Sequence, residues 1–167
     1  MILSATLAPA RPVADVLVRP IRPDDEPALR RFFDGLSDDT IYLRFQNHMR
    51  KVSDQLLDCF SRVDQRRHVA LVCTAGDEIV GDARYVANAD GRSCEFAVVI
   101  GDAWHHTGIA ALLMQALMSA AKSRGIRSME GLVLRDNVHM LHFVEALGFE
   151  HYEDPHGPAL LRVVKRL

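Results

Sequence analysis

The stretch Cys94 to Leu113 constrains this chain more than any other, because its apolar period changes there within about twenty residues. Phe96-Ala97-Val98-Val99-Ile100 is a short apolar run rich in β-branched residues and bounded by polar ones, which reads as a buried strand. Gly101-Asp102 ends it. From Ile109 onward Leu112, Leu113, Ala116, Leu117 and Ala120 recur at helical spacing, predicting a helix from about Thr107 to Ser123. A strand that feeds a helix through so short a loop exposes the first helical N–H groups, which lack internal partners at the positive end of the dipole.

That junction suits an anion, a phosphate or pyrophosphate. Thr107 is placed to cap the helix, and Gly108 and Ala110 let a bulky anion approach the backbone. His105 and His106 add positive charge when protonated. The plainer reading is an ordinary strand-to-helix turn with small residues for packing, since H-x-x-G-x-A is a loose pattern.

The rest of the chain supplies a sheet for this junction. Val16 to Arg22 reads as an edge strand, because Pro20 cannot donate to a ladder. Three helical segments follow, opened by Asp24-Asp25-Glu26-Pro27, Ser37-Asp38-Asp39 and Ser53-Asp54. His68 to Thr74, Glu78 to Ala87 and Ser93 to Ile100 form a meander turning at Gly76-Asp77 and Asp90-Gly91. After the Thr107–Ser123 helix come a strand over Met129 to Leu134 and a helix over Asn137 to Leu147 that stops at Gly148. Phe149 to Glu153 and Ala159 to Val164 are the closing strands. The long helix is a crossover, so the strands it joins are expected to be parallel in an otherwise mixed sheet, with a ligand at their carboxyl ends.

At 167 residues one domain is the default, and a net charge of −2 gives no overall field toward nucleic acid or an anionic membrane. Cys59, Cys73 and Cys94 are too scattered for a zinc ribbon or disulfide framework, which suits a reducing cytoplasm. Residues 1–15, with Pro9 and Pro12, make a poor signal peptide and read as a loose tail before a domain over 16–167. No apolar run is long enough to span a bilayer. His139 and His142 stand at i, i+3, yet no further ligand accompanies them, so no metal is expected. His151 and His156 flank a proline turn and carry little catalytic promise; Tyr42, Tyr85 and Trp104 read as core or wall residues, with Tyr85 also a candidate for lining a substrate channel. Cys94 and Glu95 are adjacent on a strand and point to opposite faces, so they are no nucleophile–base pair.

In order and spacing, His105-x-x-Gly108-x-Ala110, the strand near Leu132, Asn137 and Leu147-Gly148-Phe149 resemble the GNAT acetyltransferase superfamily. Its signature is Gln/Arg-x-x-Gly-x-Gly/Ala opening a helix, then a strand, then a helix beginning with Asn and ending in Gly-Phe. The resemblance runs from about Val16 to Leu167. Within it the chain is most similar to the acetyltransferase domain of bacterial Pat-type protein lysine acetyltransferases, through Val18-Arg19-Pro20-Ile21-Arg22-Pro23-Asp24-Asp25, Leu36-Ser37 to Leu43-Arg44-Phe45, Ser53 to Leu57, and Glu95-Phe96-Ala97-Val98-Val99.

The resemblance implies an α/β (α+β) fold with a mixed central sheet of six to seven strands flanked by helices. It implies acetyl-CoA as co-substrate and an amine acceptor, in that subgroup a protein lysine. The backbone of Val98, Val99 and Ile100 would run beside the pantetheine arm. The loop and helix start, His105, His106, Thr107, Gly108, Ile109, Ala110 and Ala111, would hold the pyrophosphate. Asn137 would bond or order the pantetheine end, and Glu95 would be the general base. Three positions depart from the pattern: His105 stands where Gln or Arg is usual, Thr107 replaces a basic residue, and Val144 occupies the place of a tyrosine general acid. The departures keep two further readings open, an acyl-CoA-binding sensor without turnover and a small-amine acetyltransferase. The enzyme is expected to be a cytoplasmic monomer or homodimer.

Overall fold

A computed structural model describes residues 15–167. The expected tail over 1–15 therefore lies outside the described residues, save for Asp15. Seven strands form one sheet, β1 (Val16–Pro20), β2 (His68–Ala75), β3 (Glu78–Ala87), β4 (Ser93–Ile100), β5 (Ser128–Leu134), β6 (Glu150–Glu153) and β7 (Leu160–Arg166), in the order β1-β2-β3-β4-β5-β7-β6. Every pairing is antiparallel except β4 with β5. β1 is an edge strand and stops at Pro20, two residues short of the expected end, because proline offers no N–H to continue the ladder.

Helices cover both faces. α1 (Glu26–Asp34), α2 (Asp38–Phe45) and α3 (Asp54–Ser61) bury Leu29, Phe32, Phe33, Ile41 and Leu57 with Val72, Ile79 and Val99 of the sheet. The caps of α2 and α3 are the expected ones: the Ser37 hydroxyl accepts from the Thr40 amide and that of Ser53 from the Leu56 amide, both at 3.2 Å. On the opposite face α4 (Ile109–Ser123) and α5 (Val138–Ala146) pack Leu113, Leu117, Ala121 and Val144 against Cys73, Tyr85, Cys94 and Met129. α4 sits close to β3 because Gly81 leaves room; a Cβ there would lie 2.8 Å from Leu113 Cδ1 and 2.9 Å from Ile100 Cδ1.

One relationship in the sheet positions everything else. β4 and β5 pair only over Ser93–Glu95 and Ser128–Glu130, although β4 continues to Ile100 and β5 to Leu134. Beyond Glu95 the strands part. The ring of Phe96 fills the fork and lies against Gly131, where a Cβ would stand 2.7 Å from Phe96 Cε1. Phe149 backs that ring at a centroid distance of 5.2 Å. From above, the Gln46 side chain reaches across and donates to the Leu132 carbonyl at 2.9 Å. The parted edge of β4 therefore carries backbone groups with no strand beside them, available to an extended ligand.

Candidate functional site

The fork opens into a cleft of about 660 Å³. Its walls are β4 from Phe96 to Ile100, the β4–α4 loop, the first residues of α4, the start of α5, and α2. The sequence-expected cofactor residues Val98, Val99, Ile100, His105, His106, Thr107, Gly108, Ile109, Ala110, Ala111 and Asn137 all line it. The catalytic candidate Glu95 does not; it stands just before the fork, an exposed residue between buried Cys94 and Phe96.

The loop differs from expectation in detail. α4 begins at Ile109, and its N-cap is Gly108 at φ 87° without a side-chain cap bond. Thr107 is no cap: its hydroxyl donates back to the Trp104 carbonyl at 2.5 Å. His106 also has a left-handed φ of 61°. Such reversals occur in backbone nests whose amides converge on an anion. His105 Nε2 donates to the Ile100 carbonyl at 3.1 Å, so this ring secures the loop to the strand end. At Gly108 nothing lies within 4 Å of where a Cβ would be, so the approach to the helix start is open. The junction thus offers unpartnered amides, a positive helix end and free space, the requirements of a pyrophosphate. Below it, the bare edge of β4 suits an extended arm of amides such as pantetheine.

Asn137 is the N-cap of α5, its Oδ1 accepting from the Met140 amide at 3.2 Å. That bond occupies the oxygen and leaves the side-chain NH₂ for the cleft. Val144 is fully buried in the core behind the cleft and has no polar atom to give a departing thiolate. Tyr85 is also fully buried on the α4 side of β3 and does not line the cleft, which removes it from the acceptor channel.

Two neighbouring carboxylates are treated differently. Glu130, paired in register with Glu95, accepts from Asn88 Nδ2 and Arg162 Nη1, each at 3.1 Å. Glu95 makes no side-chain hydrogen bond or ion pair among the described residues. One carboxylate is engaged by its partners; the other is not. On the opposite face, burial pushes the Cys94 thiol up to about 12, with the Glu130 charge adding to it. Cys94 stays a thiol at neutral pH and is no acyl carrier.

Residues on α2 and α5 join the site without any sequence signal for it. Ser37, Thr40, Leu43 and Arg44 of the α2 region line the cleft, as does His139 at the start of α5, its ring 6.1 Å from that of His106. Long-range packing brings them there; Ser37, Thr40, Leu43 and Arg44 lie in the stretch Leu36 to Phe45 that carries the Pat-type resemblance, and His139 lies two residues beyond the motif residue Asn137.

Comparison with known proteins agrees with this geometry. The model of the acetyltransferase (GNAT) family matches residues 29–149. An acetyltransferase of Pseudomonas aeruginosa is 33% identical over 144 residues, covering 84% of this chain and 77% of the relative. The acetyltransferase Pat of Mycolicibacterium smegmatis is 33% identical over 137 residues, 78% of this chain but 40% of its own length. The crystal structure of the GNAT domain of S. lividans PAT superposes with a TM-score of 0.85 at 28% identity, covering 90% of this chain and 89% of that one. The chain belongs to the GNAT acetyltransferase family, a class of enzymes whose acyl donor is acetyl-CoA. It spans less than half the length of the mycobacterial Pat that it matches.

Proposed function

We propose that residues 16–167 act as one N-acetyltransferase unit that moves the acetyl group of acetyl-CoA onto a primary amine, with Glu95 as general base and a protein lysine as acceptor. The observation that carries it is the parting of β4 and β5 immediately after Glu95, which sets an open strand edge and a helix start beside an unengaged carboxylate.

Acetyl-CoA supplies an activated thioester carbonyl. The amides from His106 to Ala111 hold its pyrophosphate, and the β4 edge at Val98, Val99 and Ile100 aligns its arm, so that the carbonyl faces backbone N–H groups near Val99. An acceptor lysine has a pKa of about 10.4 in water and arrives as the ammonium, which cannot attack. Glu95 takes that proton, directly or through a water, and the neutral amine attacks. The thiolate leaves without a protein acid in the place of Val144, a tolerable exit because a simple thiol has a pKa of about 8.5, and the second proton shed by the attacking nitrogen as the amide forms passes to that thiolate. The lysine acceptor is favoured by the likeness to the two Pat proteins.

The test is to incubate the protein with acetyl-CoA and lysine peptides, small amines or cell-extract proteins, and to follow free CoA and amine mass. Steady CoA release with a mass gain of one acetyl group on a lysine is the expected result. Tight acetyl-CoA binding with no release above background would replace the enzyme by a sensor, and turnover of small amines alone would replace the acceptor.

A further inference from the structure

Two guanidinium groups sit over the α2–α3 face of β3 and β4, and they are not equally compensated. Arg84 donates to Asp82 through Nε at 2.9 Å and Nη2 at 2.5 Å, and through Nη1 to the Phe60 carbonyl at 3.3 Å. Its guanidinium carbon lies 4.0 Å from the Phe60 ring centroid. Arg44, on α2, shares the Phe60 ring at 5.8 Å from its centroid and lies closer to Phe45, at 4.8 Å. It forms no ion pair among the described residues, and its Nε is buried without a hydrogen-bond partner. One carboxylate, Asp82, thus serves two cations. Burial pulls the Arg44 guanidinium down to about 10; Asp82 opposes that shift and Arg84 adds to it. Arg44 is still charged at pH 7.

A buried cation without a partner is destabilising, and an apolar side chain on the same aromatic surface would cost nothing comparable. Arg44 also lines the cleft, together with Ala97 and Val99 of β4. Ala97 is two residues beyond Glu95, roughly 7 Å along the strand. The uncompensated charge therefore lines the same cleft as the strand that leads from Glu95.

We propose that Arg44 is a specificity residue that receives a carboxylate carried by one of the two substrates close to the reacting centre. This rests on the acetyltransferase reading of the cleft and narrows its substrate class. The planar fork of the guanidinium matches a carboxylate in a way that a lysine in its place would not. The carboxylate has two possible sources: the acceptor, as an amino-acid carboxylate or an acidic residue next to the target lysine, or the acyl chain of a dicarboxylic acyl-CoA.

The experiment compares matched pairs differing only in that charge. The acceptor arm uses lysine against lysinamide and peptides with Asp against Asn beside the lysine. The acyl arm uses succinyl-CoA against acetyl-CoA. Initial rates give kcat/KM ratios, and calorimetry gives affinity ratios for the same pairs, the acceptors being added to the CoA complex. In one arm the native protein is expected to favour the carboxylate partner by roughly ten- to a hundredfold. Arg44→Met is expected to bring that ratio near one, and Arg44→Lys to keep part of it, with melting temperatures reporting that both variants fold. No preference in either arm, or a preference that survives in folded Arg44→Met, overturns the proposal. Absence of turnover with every acceptor would defeat the enzyme reading alone, and the affinity ratios would still decide the role of Arg44.

Discussion

The Asp102 carboxylate holds Ser37 across 65 residues of sequence, accepting from its amide at 2.9 Å and its hydroxyl at 2.8 Å. It also accepts from the Thr40 hydroxyl at 2.7 Å. The turn that ends β4 is thereby tied to the first turn of α2, and with it the loop that leads into α4 to the helix that carries Arg44. Burial pushes the Asp102 carboxyl up, but the bonds from Thr40 and Ser37 outweigh it and hold the group below the ordinary carboxylate range. A lowered folded-state pKa means that this contribution is complete above the unfolded value of about 3.9 and is lost as pH falls through the folded one.

Asp102→Ala is therefore expected to lower stability by about 1 kcal/mol at pH 7, the scale of a partly exposed hydrogen-bonded cap. Urea denaturation at pH 7 and at a pH below 3 checks it. The difference between native and variant should shrink in acid, and an equal difference at both would remove Asp102 from the tie.

Glu95→Gln keeps the shape of the side chain and removes the carboxylate proposed as the base. Turnover is expected to fall by roughly a hundredfold or more, with the affinity for acetyl-CoA unchanged because Glu95 lies outside the cleft wall. Steady-state rates across pH, set beside calorimetric binding, separate the two effects. A variant with native turnover at every pH would take the base away from Glu95.

Gly131 faces the Phe96 ring so closely that a methyl group cannot fit unless the ring moves. Phe96 is held in turn by Phe149, so the ring yields little. Gly131→Ala is expected to destabilise by about 1–3 kcal/mol, the usual cost of overpacking. Adding Phe96→Leu should recover part of it, a coupling that thermal denaturation of both single variants and the double variant measures.

How much of this was legible beforehand depends on the range of the interaction. The ends of β3 and β4, the serine caps of α2 and α3, and the edge position of β1 follow from periodicity, capping chemistry and Pro20, all local signals. The family motif placed the cleft at Gly108 and Ala110. Thr107 was misjudged because a hydroxyl before a helix has two local options, and here it bonds back to Trp104. The fork between β4 and β5 was not legible: strand pairing belongs to two segments at once, and its one trace was Gly131 inside a strand, a mark of close approach. Arg44 on α2 carries no such local mark and comes to the cleft through tertiary packing.

Gly108 is the last test, and it separates backbone strain from obstruction. At φ 87° any side chain is strained, so Gly108→Ala is expected to cost about 1 kcal/mol of stability while the space beyond stays open. Gly108→Trp carries the same strain and adds an indole where the pyrophosphate would meet the first amides of α4. The tryptophan variant should therefore lose at least about tenfold more CoA affinity than the alanine one, about 1.4 kcal/mol of binding free energy. Calorimetric titration with CoA, and with dephosphorylated pantetheine as a ligand that lacks the anion, gives the comparison. Pantetheine should discriminate far less between the two variants, because in the proposed arrangement its arm would lie along β4 below the obstruction. Equal losses for both ligands would place the phosphates elsewhere in the cleft.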